Sequence, residues 1–371
     1  MKHILIIMET LVGGGAEKAL VDLFRYIDYQ SYQITLCLLF QRGIYIKQIP
    51  EQVKTIYVYN DYLNFIQDET IYRGAFNPQP AMNRLTSELE LKYFAIISFL
   101  EGFSLRYHSY ITERTSNNIS WIHCNMENFH WTSIAFNAPE EEEQTYQKMQ
   151  RLVFVSDNAR KGFNRIFCNH SKQEVIYNIV DKKQIFSYVD SFPIARDQRF
   201  TVCLVGRLID VKAVDRLVNV AKMLEEDGYH LMFWIIGDGE RREYLERLVK
   251  YYNLESCICF WGARYPSYSY IKSADVLIST SISEGLSLVI CEALCLEIPV
   301  VATKTAGALE LLDDGKYGVL TEHDEVSIYN GLKSLIDNKR LFRKYKRKSL
   351  ERSQIFKIDK TMRAFYGLFG R

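Results

Sequence analysis

Two carboxylates, Glu284 and Glu292, close the two ends of the nine-residue stretch Glu-Gly-Leu-Ser-Leu-Val-Ile-Cys-Glu. Carboxylates accept hydrogen bonds from paired hydroxyls, so this arrangement could hold a sugar ring at one end and a ribose at the other. Asp275 to Ser279 before it reads as a short buried strand and Pro299 to Ala302 after it as the next, making a strand, loop, helix, strand unit of a parallel sheet. Glu284 falls in the loop beyond the strand end. Glu292 falls about a turn and a half into the helix, roughly 8 Å further along at about 1.5 Å per residue. Between them, the amides of Gly285, Leu286, Ser287 and Leu288 and the positive helix end offer a place for a diphosphate. For a lone pair at this spacing, two solvent-facing glutamates flanking an ordinary helix start are the competing reading.

A second cluster shifts that balance. In Val205-Gly-Arg-Leu-Ile-Asp-Val-Lys212 an apolar strand ends at Gly206 and two cations follow, five residues apart. Arg207 can fork to two phosphate oxygens, and Lys212 supplies a compact charge on a flexible stem. A surface Arg and Lys on a strand-to-helix loop are common. Beside the two glutamates, however, one cleft would hold cations for a diphosphate and carboxylates for the hydroxyls on either side of it.

The elements that must position these groups follow from pattern and size. The 371 residues suit two domains, and 48% hydrophobic content allows both to be well packed. Expected strands in the first half are His3–Met8, Gln33–Phe40, Thr55–Tyr59, Phe94–Leu100, Ile119–His123, Leu152–Ser156 and Glu174–Tyr177. A second series runs Phe200–Gly206, Leu231–Gly237, Cys257–Trp261, Val276–Ser279 and Val300–Ala302. Helical stretches alternate with them, which argues for α/β architecture with parallel sheets, two doubly wound Rossmann-like domains facing across a cleft. The expected division is an N-terminal acceptor-side domain 1–180, a linker 181–199, a C-terminal donor-binding domain 200–350 and a C-terminal helix 351–371 packing back on the first domain. Glu140 to Glu143 reads as a solvated helix start after Pro139.

Composition removes several function classes. With 46 basic and 45 acidic residues the net charge is +1, and no general field favours nucleic acid. The eight cysteines lack zinc-site spacing and read as reduced, mostly buried thiols. The opening Met1 to Met8 reads as a first strand rather than a signal peptide, and no apolar run reaches membrane-spanning length. Lys339 to Lys348 holds seven Lys or Arg. It reads as a solvated basic helix face, with anionic lipid as the alternative.

With these pieces in order, the chain resembles the retaining glycosyltransferases of family 4, which have the GT-B fold. The resemblance runs through Gly13-Gly-Gly-Ala-Glu-Lys18, Trp121-Ile-His123, Val175 to Asp181, Val205-Gly-Arg-Leu208 with Lys212, Ile236-Gly-Asp-Gly239, and Ser283-Glu-Gly-Leu286 leading to Glu292. It implies that Glu284 binds donor-sugar hydroxyls and Glu292 the ribose, while Arg207 and Lys212 neutralise the diphosphate as it leaves. It also implies that His123 faces the sugar; taken alone, a core histidine is the commoner explanation. Gly14 and Gly15 would admit the donor phosphate or acceptor close to the backbone, or else simply form a tight turn. Gly206, Gly237, Arg264 and Gly285 to Leu288 complete the implied donor site. Where the family usually has Gly past the helix, this chain has Glu297, and Ser287 replaces a frequent Pro.

The expected reaction is transfer of a hexose or N-acetylhexosamine from a nucleotide-sugar, a UDP-sugar above others, to a saccharide or lipid-linked saccharide in surface polysaccharide synthesis. No cofactor and no metal are expected, because no Asp-x-Asp dyad occurs in the chain. The expected location is cytoplasmic, peripheral at the inner membrane face. Residues 1 to 180 have no cationic excess, so any membrane contact would be through a local patch. A nucleotide-sugar epimerase of the same fold is the nearer rival. A NAD-dependent oxidoreductase is more distant, since Gly13-x-Gly15-x-x-Lys18 and Gly237-x-Gly239-x-x-Arg242 both lack the third Gly of the dinucleotide fingerprint.

Overall fold

The computed structural model describes residues 1–59, 79–167 and 172–370. The chain forms two compact units, Met1–Ile179 with Ile358–Arg371, and Val180–Lys357.

In the first unit β1 (Lys2–Met8), β2 (Tyr32–Phe40), β3 (Val53–Tyr59), β4 (Ala95–Ser98), β5 (Asn118–Ile122), β6 (Arg151–Phe154) and β7 (Gln173–Val175) make one parallel sheet in the order 3-2-1-4-5-6-7. The second unit pairs β8 (Thr201–Val205), β9 (Met232–Ile236), β10 (Ile258–Gly262), β11 (Val276–Ser279), β12 (Val300–Thr303) and β13 (Val319–Thr321) in the order 10-9-8-11-12-13. Their continuous apolar runs reflect burial on both faces: Ile4 through Met8 are all fully buried. Each sheet reverses its winding once, between β1 and β4 and between β8 and β11. Loops leaving the carboxyl ends of those neighbours part to opposite sides, which opens a crevice at each switch point. Arg207 and Lys212 follow β8, and Glu284 follows β11.

Twelve of these strands lie where the sequence pattern predicts, with ends displaced by a residue or two. Only β13 goes unpredicted, being three residues long and without an apolar run of its own. Other expectations need correction. Residues 181–199 are not a plain linker: Lys182–Ser191 is a helix, started by the Asp181 carboxylate accepting from the amides of Lys183 and Gln184, and it belongs to the second unit. Its narrow apolar face, with Ile185 buried and Tyr188 against Tyr268, was hidden by polar neighbours. Position 351 is not a helix start but lies inside the helix Lys339–Ser353. The last helix, Ile358–Gly367, groups with the first unit: Phe365 is buried near Trp121, and Tyr366 stacks on Tyr32 while its hydroxyl accepts from the Asp28 amide at 2.8 Å. Finally, the helix Pro139–Gln147 begins as predicted, but Glu142 is fully buried rather than solvated, accepting from Thr132 Oγ1 at 2.6 Å and bonded to His130 Nε2 at 2.9 Å. Among the described residues the seven cysteines form no disulfide, and five of them are buried.

Candidate active site

At the second unit's switch point the backbone dictates which residues can stand there. Gly237, with φ at 153°, ends β9 so close to β8 that a Cβ would sit 1.8 Å from the Gly206 carbonyl oxygen. Only glycine fits. The two strand-end loops are then joined by the Leu208 amide donating to the Asp238 carbonyl at 2.9 Å and the Arg241 amide to the Leu208 carbonyl at 2.9 Å. With no side chain on Gly206, the aliphatic stem of Lys212 lies in contact with it, the Cδ 3.7 Å from where a Cβ would be. Across the crevice, Thr280 Oγ1 donates to the Lys212 carbonyl at 2.9 Å, and the Ile282 amide donates to the Val211 carbonyl at 2.8 Å. The loops after β8 and β11 are thereby locked to each other.

Inside that frame the Lys212 ammonium donates to Glu284 Oε1, and Ser281 Oγ donates to the same oxygen at 2.9 Å. Both side chains of the pair are largely withdrawn from solvent, at 24% and 15% exposure. The structure thus brings two of the predicted residues into direct contact, and Lys212 is a cation already engaged rather than a free one. Arg207 is different. It is exposed, does not line the recess beside the pair, and makes no ion pair among the described residues. The recess is lined by Lys212, Thr280, Ser281, Glu284 and Ser287.

The helix beyond the loop runs Leu288–Cys295, with Ser287 at its N-cap making no side-chain capping bond. Leu286, Ser287 and Leu288 are buried, and Gly285 precedes them in the turn. Glu292, in the helix's second turn, is only 4% exposed, so the solvent-facing alternative does not hold for it. Arg264 follows β10, which β9 separates from β8; its Nε donates to Tyr270 Oη at 3.1 Å. Glu297 has φ at 63°, the left-handed conformation that the family's usual Gly would adopt without a Cβ penalty.

In the first unit Gly14 caps the helix Gly15–Phe24, and the Glu17 carboxylate folds back over it, 2.2 Å from where a Cβ would be. Gly15 has open space beside it. His123 follows β5, its ring 4.9 Å from that of Phe99 and 6.3 Å from that of Trp121. Its Nε2 is buried without a hydrogen-bond partner among the described residues, and desolvation holds the ring down to about 3. It is therefore neutral at ordinary pH and suited to hydrogen bonding rather than to carrying charge.

Three supporting residues escaped the sequence reading. Ser281 stands three positions before Glu284 and holds it, a spacing that could have drawn attention. Gly307 donates its amide to the Glu284 carbonyl at 3.0 Å and packs so tightly that a Cβ would meet Leu286 Cα at 2.8 Å; nothing local marks it. Glu101 accepts from the His123 amide at 2.8 Å across 22 residues of sequence.

Residues 189–352 match the family Glycosyl transferases group 1. The chain is 32% identical over 194 residues to N-acetylgalactosamine-N,N'-diacetylbacillosaminyl-diphospho-undecaprenol 4-alpha-N-acetylgalactosaminyltransferase of Campylobacter jejuni, a match covering 52% of each protein. It is 25% identical to the Staphylococcus aureus poly(ribitol-phosphate) alpha-N-acetylglucosaminyltransferase, over 47% of this chain and 36% of that one. The chain thus spans about half or less of the length of these curated relatives. Among solved structures, Anabaena HepE in complex with UDP and glucose superposes with a TM-score of 0.78 at 19% identity, over 99% of both chains. The sucrose-phosphate synthase of Thermosynechococcus elongatus reaches 0.81 at 15% identity, over 100% of this chain and 98% of that one. Residues 189–352 thus match the Glycosyl transferases group 1 family, in a chain whose two parallel-sheet units have the GT-B fold.

Proposed function

We propose that the protein is a retaining glycosyltransferase that moves a hexose or N-acetylhexosamine from a UDP-sugar to a saccharide acceptor carried on a lipid, in the synthesis of a surface polysaccharide. The observation that carries this reading is the second unit's switch point. There the Lys212–Glu284 pair and an N-cap without a side-chain bond line one recess, and the exposed Arg207 stands on the same loop as Lys212. Arg207 and Lys212 would balance the charge growing on the departing diphosphate. Glu284, held by Lys212 and Ser281, keeps a carboxylate oriented for donor-sugar hydroxyls, and Glu292 would take the ribose. His123, neutral, would contribute a hydrogen bond to the sugar.

Retention places nucleophile and leaving group on one face of the sugar. Nothing in the chain marks a carboxylate beneath the anomeric carbon, so the route proposed is front-face displacement, the departing phosphate helping to deprotonate the acceptor. With two cations available for the leaving group and no Asp-x-Asp, the reaction should proceed without added divalent metal. The names of the Campylobacter and Staphylococcus relatives and the UDP in the HepE structure support the donor and acceptor classes. No helix among the described residues is long and apolar enough to cross a membrane, and the reading places the protein in the cytoplasm, in peripheral contact with the membrane.

Donor screening with UDP-, GDP- and dTDP-sugars by thermal stabilisation identifies the donor, since a ligand that binds only the folded state raises its apparent stability. NMR of the product in excess EDTA then tests the chemistry. The expected product keeps the donor's anomeric configuration. An inverted product, or transfer abolished by EDTA and restored by Mn²⁺, would refute the mechanism; donor consumed without any acceptor would indicate an epimerase.

A further inference from the structure

Glu101 has no part in the mechanism above, yet it is a fully buried carboxyl that holds the backbone beside His123. It follows β4 at that unit's switch point and is 1% exposed. The His123 amide donates to its Oε2 at 2.8 Å. The Cys124 thiol, the Trp131 indole and its own backbone amide face the same carboxyl and oppose the effect of burial on it. These groups come from the β4 loop, the end of β5 and the short helix Trp131–Ala135. Gly102, with φ at 70°, lets the Trp131 ring lie against the backbone, where a Cβ would be 2.9 Å from Cη2. A second buried carboxylate, Glu142, ties His130 and Thr132 of the same segment. The chain from His123 to Ala135 is thus pinned at both ends by carboxylates that have no solvent to fall back on.

The bond to His123 is made to its backbone, so what Glu101 controls is the path of the chain as it leaves β5 and, through it, where the imidazole points. No other side-chain acceptor holds that amide among the described residues. A buried carboxylate faced by N–H and S–H groups is unforgiving of replacement: an amide of the same shape would set an NH₂ against groups that need an acceptor. Burial raises the Glu101 carboxyl above its ordinary range, and the groups that face it oppose that rise.

We propose that Glu101 is a positioning residue of the transfer reaction, fixing the chain at His123 so that sugar transfer, but not nucleotide binding, depends on it. This rests on the glycosyltransferase reading, and the experiment separates the two. Wild type, Glu101→Gln, His123→Ala and the double variant are compared for kcat, for donor KM and for UDP affinity by calorimetry. Glu101→Gln is expected to lower kcat about tenfold or more while UDP affinity and donor KM stay within about twofold, and to add little to His123→Ala, because residues acting through one another are not additive. Trp131→Phe, which removes one donor and leaves the carboxyl in place, covers the case in which Glu101→Gln does not fold; it should lower kcat alone, and again not in the His123→Ala background. Full activity in the variant that folds, or an equal loss in both backgrounds, would overturn the positioning role. A wild-type protein that neither binds UDP nor transfers sugar would overturn the glycosyltransferase reading, and this inference with it.

Discussion

Arg207 and Lys212 are both candidates for the diphosphate, but their different settings predict opposite rankings in two assays. A hydrogen bond to a charged group is worth about 1.5–3 kcal/mol. Arg207 is exposed and without an ion-pair partner among the described residues, so in Arg207→Ala the whole of that contact should vanish from binding, about 10- to 150-fold in UDP affinity. The free protein loses nothing, and its stability should stay within about 0.5 kcal/mol of wild type. Lys212 must share its ammonium with Glu284 when the nucleotide arrives. Part of the ligand contact is then an exchange, and Lys212→Ala should cost roughly two- to fivefold less affinity than Arg207→Ala if about 0.5–1 kcal/mol is offset by the pair. The free protein pays instead: a largely enclosed Glu284 keeps only Ser281, and stability should fall by about 1–2 kcal/mol. Calorimetry with UDP and urea unfolding of the free proteins measure both rankings. Lys212→Ala losing more affinity than Arg207→Ala while leaving stability unchanged would refute the reasoning, because Lys212 would then not be held by Glu284 in solution.

The two glutamates should separate in the same binding assay: Glu284→Gln leaves UDP affinity equal or slightly higher, by releasing Lys212, yet slows transfer, whereas Glu292→Gln weakens UDP itself; the reverse pattern would exchange their roles. Glu297→Gly should stabilise the protein by up to about 1 kcal/mol in urea unfolding, since a non-Gly residue at φ 63° carries a left-handed penalty; a destabilised variant would show that Glu297 contributes more than its backbone costs. Burial depresses His123 to about 3 and His108 to about 4, so below pH 6.5 the unfolded chain takes up protons that the folded one refuses, and stability falls as pH falls. Between pH 7 and 5 each should cost about 2 kcal/mol, and His123→Gln should shrink the drop by its share; an unchanged drop would mean that the ring protonates freely in the folded protein. Six cations of the helix Lys339–Ser353 (Lys339, Arg340, Arg343, Lys344, Lys346 and Arg347) are exposed without carboxylate partners among the described residues. At about 1 kcal/mol per cation at an anionic surface, replacing Arg343, Lys344 and Arg347 by Ser should weaken sedimentation with anionic vesicles by about a hundredfold; equal binding to neutral and anionic vesicles would leave the helix as a solvated face.

Much of the architecture was legible in the sequence because parallel strands buried on both faces write themselves as unbroken apolar runs between polar helices, as in His3 to Met8 or Val276 to Ser279. Arg207, Lys212, Glu284 and Glu292 stood out as candidates for a related reason: each follows such a strand, in the order and spacing of the resemblance. Where the local pattern was weak the reading failed. The three-residue β13 is a strand only because β12 offers it an edge, and Lys182–Ser191 is a helix whose narrow apolar face gains its meaning from the unit it covers. Glu142 looked like one of four solvated acids until Thr132 and His130 folded onto it. Contacts across long stretches of chain were invisible altogether: that Lys212 is already bound to Glu284, that Gly237 is required by the Gly206 carbonyl, that Gly307 braces the Glu284 loop, and that Glu101 holds the His123 amide. Sequence specifies which groups are available, because composition and period are local properties. Which of them neutralise, brace or desolvate one another is set by sheet order, which brings together residues whose separation along the chain carries no signal.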